Sequence, residues 1–114
     1  MTQDNFLDKV EIRKIYYISG ALMAETPYVD GNIHGIEKHY YESGALDWEV
    51  PYVNGKLHGI EKGYYESGAL RYSVPYTNGI KHGIVKTYDE DTANIVCLTL
   101  YDKYQEVASI KSNT

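Results

Sequence analysis

The segment His34–Leu46 returns 24 residues later as His58–Leu70 with one change, Gly63 for His39. Over the full period, residues 34–57 and 58–81 are identical at 17 of 24 positions. The echo continues outward. Ser19, Gly20, Ala21, Leu22, Pro27, Tyr28 and Gly31 precede it in phase, and Pro75, Tyr76, Asn78, Gly79, His82, Gly83, Ile84 and Lys86 follow. A fixed period of this length marks a chain built by stacking one supersecondary unit. Units are expected at about 12–35, 36–59 and 60–83, with a degenerate copy at 84–108, all within one domain spanning 1–114. Scaffolds and binding surfaces are often copied in tandem, and catalytic sites rarely are.

Each period carries two turn signals, Ser43-Gly44 and Asn54-Gly55, then Ser67-Gly68 and Asn78-Gly79. Both dipeptides tolerate the positive φ of a hairpin loop. Between them lie runs rich in aromatic and branched residues, such as Ile60–Tyr65 and Leu70–Tyr76. No useful stretch has apolar residues at helical spacing. The expected fold is all-β: an elongated, single-layer antiparallel β-meander of tandem hairpins. Thirteen tyrosines against one phenylalanine and one tryptophan suit a half-wet sheet, where the ring packs and the hydroxyl reaches water.

Side-chain alternation suggests the faces. Even positions of the second unit are Ile36, Lys38, Tyr40, Leu46, Trp48, Val50 and Tyr52; odd ones are Glu37, His39, Tyr41, Asp47, Glu49 and Pro51. Three-residue loops at Glu42-Ser43-Gly44 and Val53-Asn54-Gly55 would keep even positions on one face. Because 24 is even, an apolar even face is then expected to run the length of the sheet, opposite an acidic odd face. Lys14, Lys38, Lys62 and Lys86 fall on the apolar face, their stems lying along neighbouring rings. At the ends, Val10–Tyr17 matches the first strand of the unit after a polar lead-in over 1–9. Asp89–Asn94 replaces the regular turn, Ile95–Tyr101 reads as a strand, and Tyr104–Ile110 as a final one before a frayed end from Lys111. This degenerate tail is expected to cap an edge that would otherwise recruit another chain.

Composition excludes several classes. A net charge of −5 with 11 Lys and Arg argues against nucleic-acid binding. No apolar run approaches the ~18 residues of a membrane span, and Met1–Phe6 has no leader-like pattern. The lone Cys97 leaves no internal disulfide and fits a reducing cytoplasm. Its apolar strand is expected to bury it as an inert thiol.

His34, His58 and His82 recur at the period, but equivalent positions two strands apart are separated by ~10 Å. Metal ligands must each approach one ion to ~2 Å, so the row cannot share a metal. The expected role is a hydrogen bond that closes the turn beside Gly35, Gly59 or Gly83. Glu37, Glu42, Glu61 and Glu66 are copied between units, as a solvated face would be, where hydrolysis would need one dedicated acid/base pair. No catalytic residue, cofactor or metal is assigned.

The pattern Tyr-Tyr-x-x-Gly-x-Leu, then Pro-Tyr-x-Asn-Gly and His-Gly, resembles the bacterial variant of the MORN repeat over residues 12 to about 88. Proteins with this repeat are commonly labelled YwqK-type antitoxins or immunity proteins, and the family fold is a single-layer twisted meander. The resemblance therefore implies an antitoxin or immunity protein that neutralises a protein partner by direct binding. An acidic surface suits a basic toxin. Positions that differ between copies are the candidates for partner contact: His39, Asp47, Trp48 and Glu49, and at the matching places Arg71 and Tyr72. The competing reading for Trp48 is plain packing. The alternative function is structural, a homodimer or scaffold joined through an exposed Tyr-rich face. Lipid-surface binding, by analogy with eukaryotic relatives, is opposed by the negative charge.

Overall fold

The computed structural model describes residues 9–112. The expected lead-in lies outside them except for Lys9. The strands are β1 (Val10–Tyr16), β2 (Leu22–Val29), β3 (Asn32–Ile33), β4 (Gly35–Tyr40), β5 (Leu46–Val53), β6 (Lys56–Leu57), β7 (Gly59–Tyr64), β8 (Leu70–Thr77), β9 (Ile80–Lys81), β10 (Gly83–Tyr88), β11 (Ile95–Asp102) and β12 (Gln105–Lys111). All join one antiparallel sheet in the order β1-β2-β4-β5-β7-β8-β10-β11-β12, with β3, β6 and β9 paired to β2, β5 and β8. The sheet is a meander of hairpins, as the period implies. Its extents of 63 × 37 × 20 Å and radius of gyration of 17.0 Å describe a plate; a compact domain of this length would have a radius of about 13 Å. The tail adds β11 and β12, and of the end expected to fray Lys111 closes β12 and Ser112 donates its N–H to the Val96 carbonyl, while residues 113–114 lie outside the described residues.

The two loops of each unit differ. Tyr41 donates to the Ala45 carbonyl and Gly44 donates back to Tyr41, enclosing the three-residue loop Glu42-Ser43-Gly44, with Gly44 at φ +98°. At the other end Val53 pairs with Lys56, leaving only Asn54 and Gly55 in the loop, both with positive φ. This is a two-residue type I′ turn rather than the expected three-residue one, and Asn-Gly favours it because its twist matches that of the strands.

The face assignment expected from parity is overturned. Beside the three-residue loop Tyr40 faces Leu46, but one step inward His39 faces Trp48, so Asp47 is an extra residue in β5. The same bulge recurs at Met23, Arg71 and Val96. A bulge shifts register by one residue and so inverts the face of everything beyond it. Ile36 therefore lies opposite Pro51, and Lys38 opposite Glu49, while Val50 sits with Glu37 on the other side.

One face, the core face, carries the buried residues Ala24, Thr26, Val50 and Val74, with Gly63 also buried. The other, the isoleucine face, displays Ile12, Ile36, Ile60 and Ile84, each about half exposed, with Pro27, Pro51 and Pro75 opposite the first three. The four lysines share it, as expected, interleaved with Glu25 and Glu49.

Units are fastened across the sheet by side chains. The hydroxyls of Tyr17, Tyr41 and Tyr65 donate to the carbonyls of Tyr40, Tyr64 and Tyr88, each in the next unit, at 2.6, 2.5 and 2.7 Å. His34 and His58 accept at Nδ1 from the N–H of Asn54 and Asn78, 20 residues on. The imidazole thus ties its turn to the next unit's turn instead of closing its own. Proline falls where the ladder pauses. From the Tyr52–Leu57 pair to the Glu49–Lys62 pair, β5 advances three residues and the facing chain five. Pro51, which has no N–H to offer, sits in this gap and accepts from His58 N–H. Opposite it Gly59 has φ +120°, and a Cβ there would stand 2.9 Å from Pro51 Cγ.

Tyr41→Phe should cost about 1 kcal/mol, the net worth of one half-buried hydrogen bond. Urea unfolding monitored by circular dichroism measures it; an unchanged midpoint would mean that the phenol tie contributes nothing.

Candidate functional site

The residues expected to meet a partner do not form one surface. Glu49 projects from the isoleucine face, between Lys38 and Lys62, and accepts from the Tyr64 hydroxyl at 2.6 Å. His39, Trp48 and Tyr72 lie on the core face. Asp47 and Arg71 occupy the bulges beside them, close enough for each to act on the Tyr41 and Tyr72 hydroxyls.

The divergence between units has a packing explanation. The His39 ring stacks on Trp48 with centroids 3.7 Å apart and planes inclined by 15°. In the next unit Gly63 and Tyr72 take these places, and a Cβ on Gly63 would lie 2.0 Å from the Tyr72 ring. Loss of the first ring lets the second collapse onto the backbone, and its hydroxyl then donates to Glu61 at 2.7 Å. His39 instead approaches Glu37, Nε2 to Oε2 3.9 Å, and Glu37 accepts from Thr26 at 2.6 Å. The rings of His39, Trp48 and Tyr72 are therefore all engaged within the chain. Arg71 rests beside the Tyr72 ring, its guanidinium carbon 5.6 Å from the centroid.

Two tyrosines of the isoleucine face titrate abnormally. Burial, reinforced by the hydrogen bond to Glu25, pushes the Tyr40 phenol up to about 12, and burial with the Glu49 bond does the same to Tyr64. Burial also raises Tyr72, with Glu61 adding to it.

Sequence reading missed the uncovered isoleucines. They line repeated shallow grooves. One, of 170 Å³, is bounded by Ile12, Glu25, Pro27, Ile36 and Lys38. The next, of 120 Å³, is bounded by Ile36, Glu49, Pro51, Ile60 and Lys62. A third recess joins Ile84 to Leu98, Leu100, Ala108 and Ile110. The signal was present in the Asn-Gly turns and the recurring Gly-Ile-x-Lys, but the bulge that turns Ile36 away from Val50 has no marker of its own.

Groups able to do chemistry are sparse. Cys97 is half-buried rather than buried, its Sγ 3.6 Å from the Thr99 hydroxyl and 3.8 Å from Ser109. His82 Nδ1 lies 3.6 Å from Asp102. Among the described residues no group of three or more His, Cys, Asp or Glu could hold a metal, and no helix is long and apolar enough to cross a membrane.

The fold and the periodic grooves define a tandem β-hairpin repeat protein. Within it, residues 33–54 and 57–78 match the family model described as "MORN repeat variant", one copy each. The chain is also similar to one in a solved structure, "Crystal structure of GtfA/B complex bound to UDP and GlcNAc", at 15% identity and a TM-score of 0.50. That match covers 90% of this chain but 24% of the other, and shows the fold alone. No curated protein sequence matches.

Two outcomes follow from this geometry. Gly63→His should destabilise the protein by roughly 1–3 kcal/mol by overpacking. Adding Tyr72→Trp should recover much of that loss, because the pair then reproduces the stack of the preceding unit. A double-mutant cycle in urea reads the coupling; additive losses would refute the paired-packing explanation. The pH dependence of stability has a definite sign. Tyr40 and Tyr64 hold their protons in the fold to about 12, while the unfolded phenols release theirs near the ordinary value of 10.0. The fold thus binds more protons in that interval, and its stability, intact below pH 10.0, declines as pH rises towards about 12. Tyr40→Phe with Tyr64→Phe should shallow the decline, measured by denaturation at successive pH values.

Proposed function

We propose that this chain is a non-catalytic protein-binding module whose partner docks on the isoleucine face. The observation that carries this reading is the row Ile12, Ile36, Ile60 and Ile84, with prolines opposite three of them, left half exposed at regular intervals across the sheet. A contiguous apolar surface rimmed by charge is the usual mark of an interaction site. The grooves between successive isoleucines offer seats for apolar side chains, and the Lys/Glu row beside them sets polar register.

In its finer form the reading is an antitoxin or immunity protein, acting in the cytoplasm, that neutralises a toxin by holding it. The resemblance to YwqK-type proteins suggests it. The net charge of −5 would steer a basic toxin, and it disfavours anionic lipid or nucleic acid as the partner. His39, Asp47, Trp48, Arg71 and Tyr72 then act mainly by shaping the sheet, and Glu49 is the one of the six placed for direct contact. A second reading, a homodimer burying the same face, is favoured by the same isoleucines and separated from the first by experiment.

The test is capture of a partner by the wild-type chain and by Ile36→Asp, Ile60→Asp, with sedimentation of each bait alone. The expected result is a partner that is toxic when expressed alone, neutralised by the wild-type chain and released by at least tenfold weaker binding to the variant. Both substitutions are at exposed positions, so the melting temperature should hold. A wild-type chain that sediments as a dimer, with a monomeric variant and no partner, would replace the antitoxin reading with the structural one.

A further inference from the structure

Across the isoleucine face runs a row of directly opposed residues: Lys14, Glu25, Lys38, Glu49, Lys62, Ser73, Lys86. Charges alternate between neighbouring strands until the third unit. There Ser73 stands where Glu25 and Glu49 stand in the first two, so Lys62 and Lys86 flank a hydroxyl. Lys86 is further exposed to this change because its other cross-strand neighbour is Leu98. In the first two units a tyrosine completes the arrangement, Tyr40 donating to Glu25 at 2.7 Å and Tyr64 to Glu49 at 2.6 Å. Tyr88 holds the equivalent position in the third, 24 residues after Tyr64.

Three groups that surround a carboxylate in the other units are thus kept, and the carboxylate alone is missing. Two ammoniums and a phenol can neutralise and hydrogen-bond an incoming oxyanion, and charge-assisted bonds are the stronger kind. Beside this place Ile60 and Ile84 are exposed, and Pro75 lies opposite Ile60. Ser73 and Pro75 are two residues apart on β8, so their side chains share a face on the order of 6.5–7 Å apart. An extended segment with an apolar residue at one position and an acidic residue two further on has the same spacing.

We propose that the third unit is a carboxylate-receiving site: an Asp or Glu side chain of the docked partner occupies the place of Glu25 and Glu49, held by Lys62, Lys86 and Tyr88, while a neighbouring apolar side chain seats among Ile60, Pro75 and Ile84. This rests on the docking face proposed above and deepens it. The site fixes the partner's register on an otherwise periodic surface, which would bind equally well when shifted by one unit. Net charge governs approach, and this contact governs where the partner stops.

The probe is the capped tripeptide acetyl-Leu-Ser-Glu-amide, titrated into the isotopically labelled full chain and followed by amide chemical shifts, with the Gln counterpart and free acetate alongside. The glutamate peptide should shift the amides of Lys62, Ser73 and Lys86 and bind roughly tenfold more tightly than the Gln peptide. Acetate, lacking the apolar anchor, should bind more weakly than the glutamate peptide. Ser73→Glu should abolish the response by supplying the carboxylate internally, and Lys86→Met should weaken it even if the first variant folds poorly. Equal response to the Glu and Gln peptides, undiminished binding to Ser73→Glu, or no shift at these amides overturns the site. The docking face stands or falls separately, on whether Ile36→Asp, Ile60→Asp releases the captured partner.

Discussion

The constraint on which the structure depends is that, among the described residues, its sheet has no second layer. A sheet normally buries one face against another element, and here the described residues supply only the sheet itself. Stability must then come from within the plate. Part comes from a thin core of Ala24, Val50 and Val74 along one face. Much of the rest is cross-unit bonding: a phenol from each of the first three units reaches the backbone of the next, and the first two histidines reach the following turn. This explains the excess of tyrosine over phenylalanine. A ring without the hydroxyl would cover the sheet but would not fasten one unit to another.

From the same constraint follows the role of the bulge. Without the extra residue at Asp47, Val50 and Ile36 would share a face, and one side of the plate would collect nearly all of the apolar groups. With it, Val50 turns to the core face and Ile36 to the other. The result is two faces with different work. One holds the small core and the paired rings; the other shows isoleucines over proline, bordered by alternating lysine and glutamate. A scaffold that commits its aromatic groups to internal ties leaves its branched aliphatic residues exposed.

The period, the strands and the meander could be read directly from the residues, because repetition reinforces every local signal. The face assignment could not. Side-chain parity is inverted by a single added residue, and Asp47 and Arg71 share no feature that announces a bulge. The type I′ turn at Asn54-Gly55 was legible by its dipeptide alone, but requiring constant parity concealed it. The differences between copies have a packing explanation that the residues alone did not disclose. Differences between copies were attributed to a partner, whereas His39 with Trp48 and Gly63 with Tyr72 differ together because each ring depends on what lies opposite. Ser73 is the informative difference, since its neighbours did not change to match it.

The central claim is that the isoleucine face is open in the isolated chain and covered in the complex. Single cysteines at Ile36, Ile60 and Val50, placed in a Cys97→Ser background, measure this through their rates of thiol labelling with and without the captured partner. The account predicts rapid labelling at 36 and 60, slow labelling at 50, and protection of 36 and 60 when the partner is bound. Slow labelling at 36 and 60 in the monomer, or labelling that the partner leaves unchanged, would contradict it.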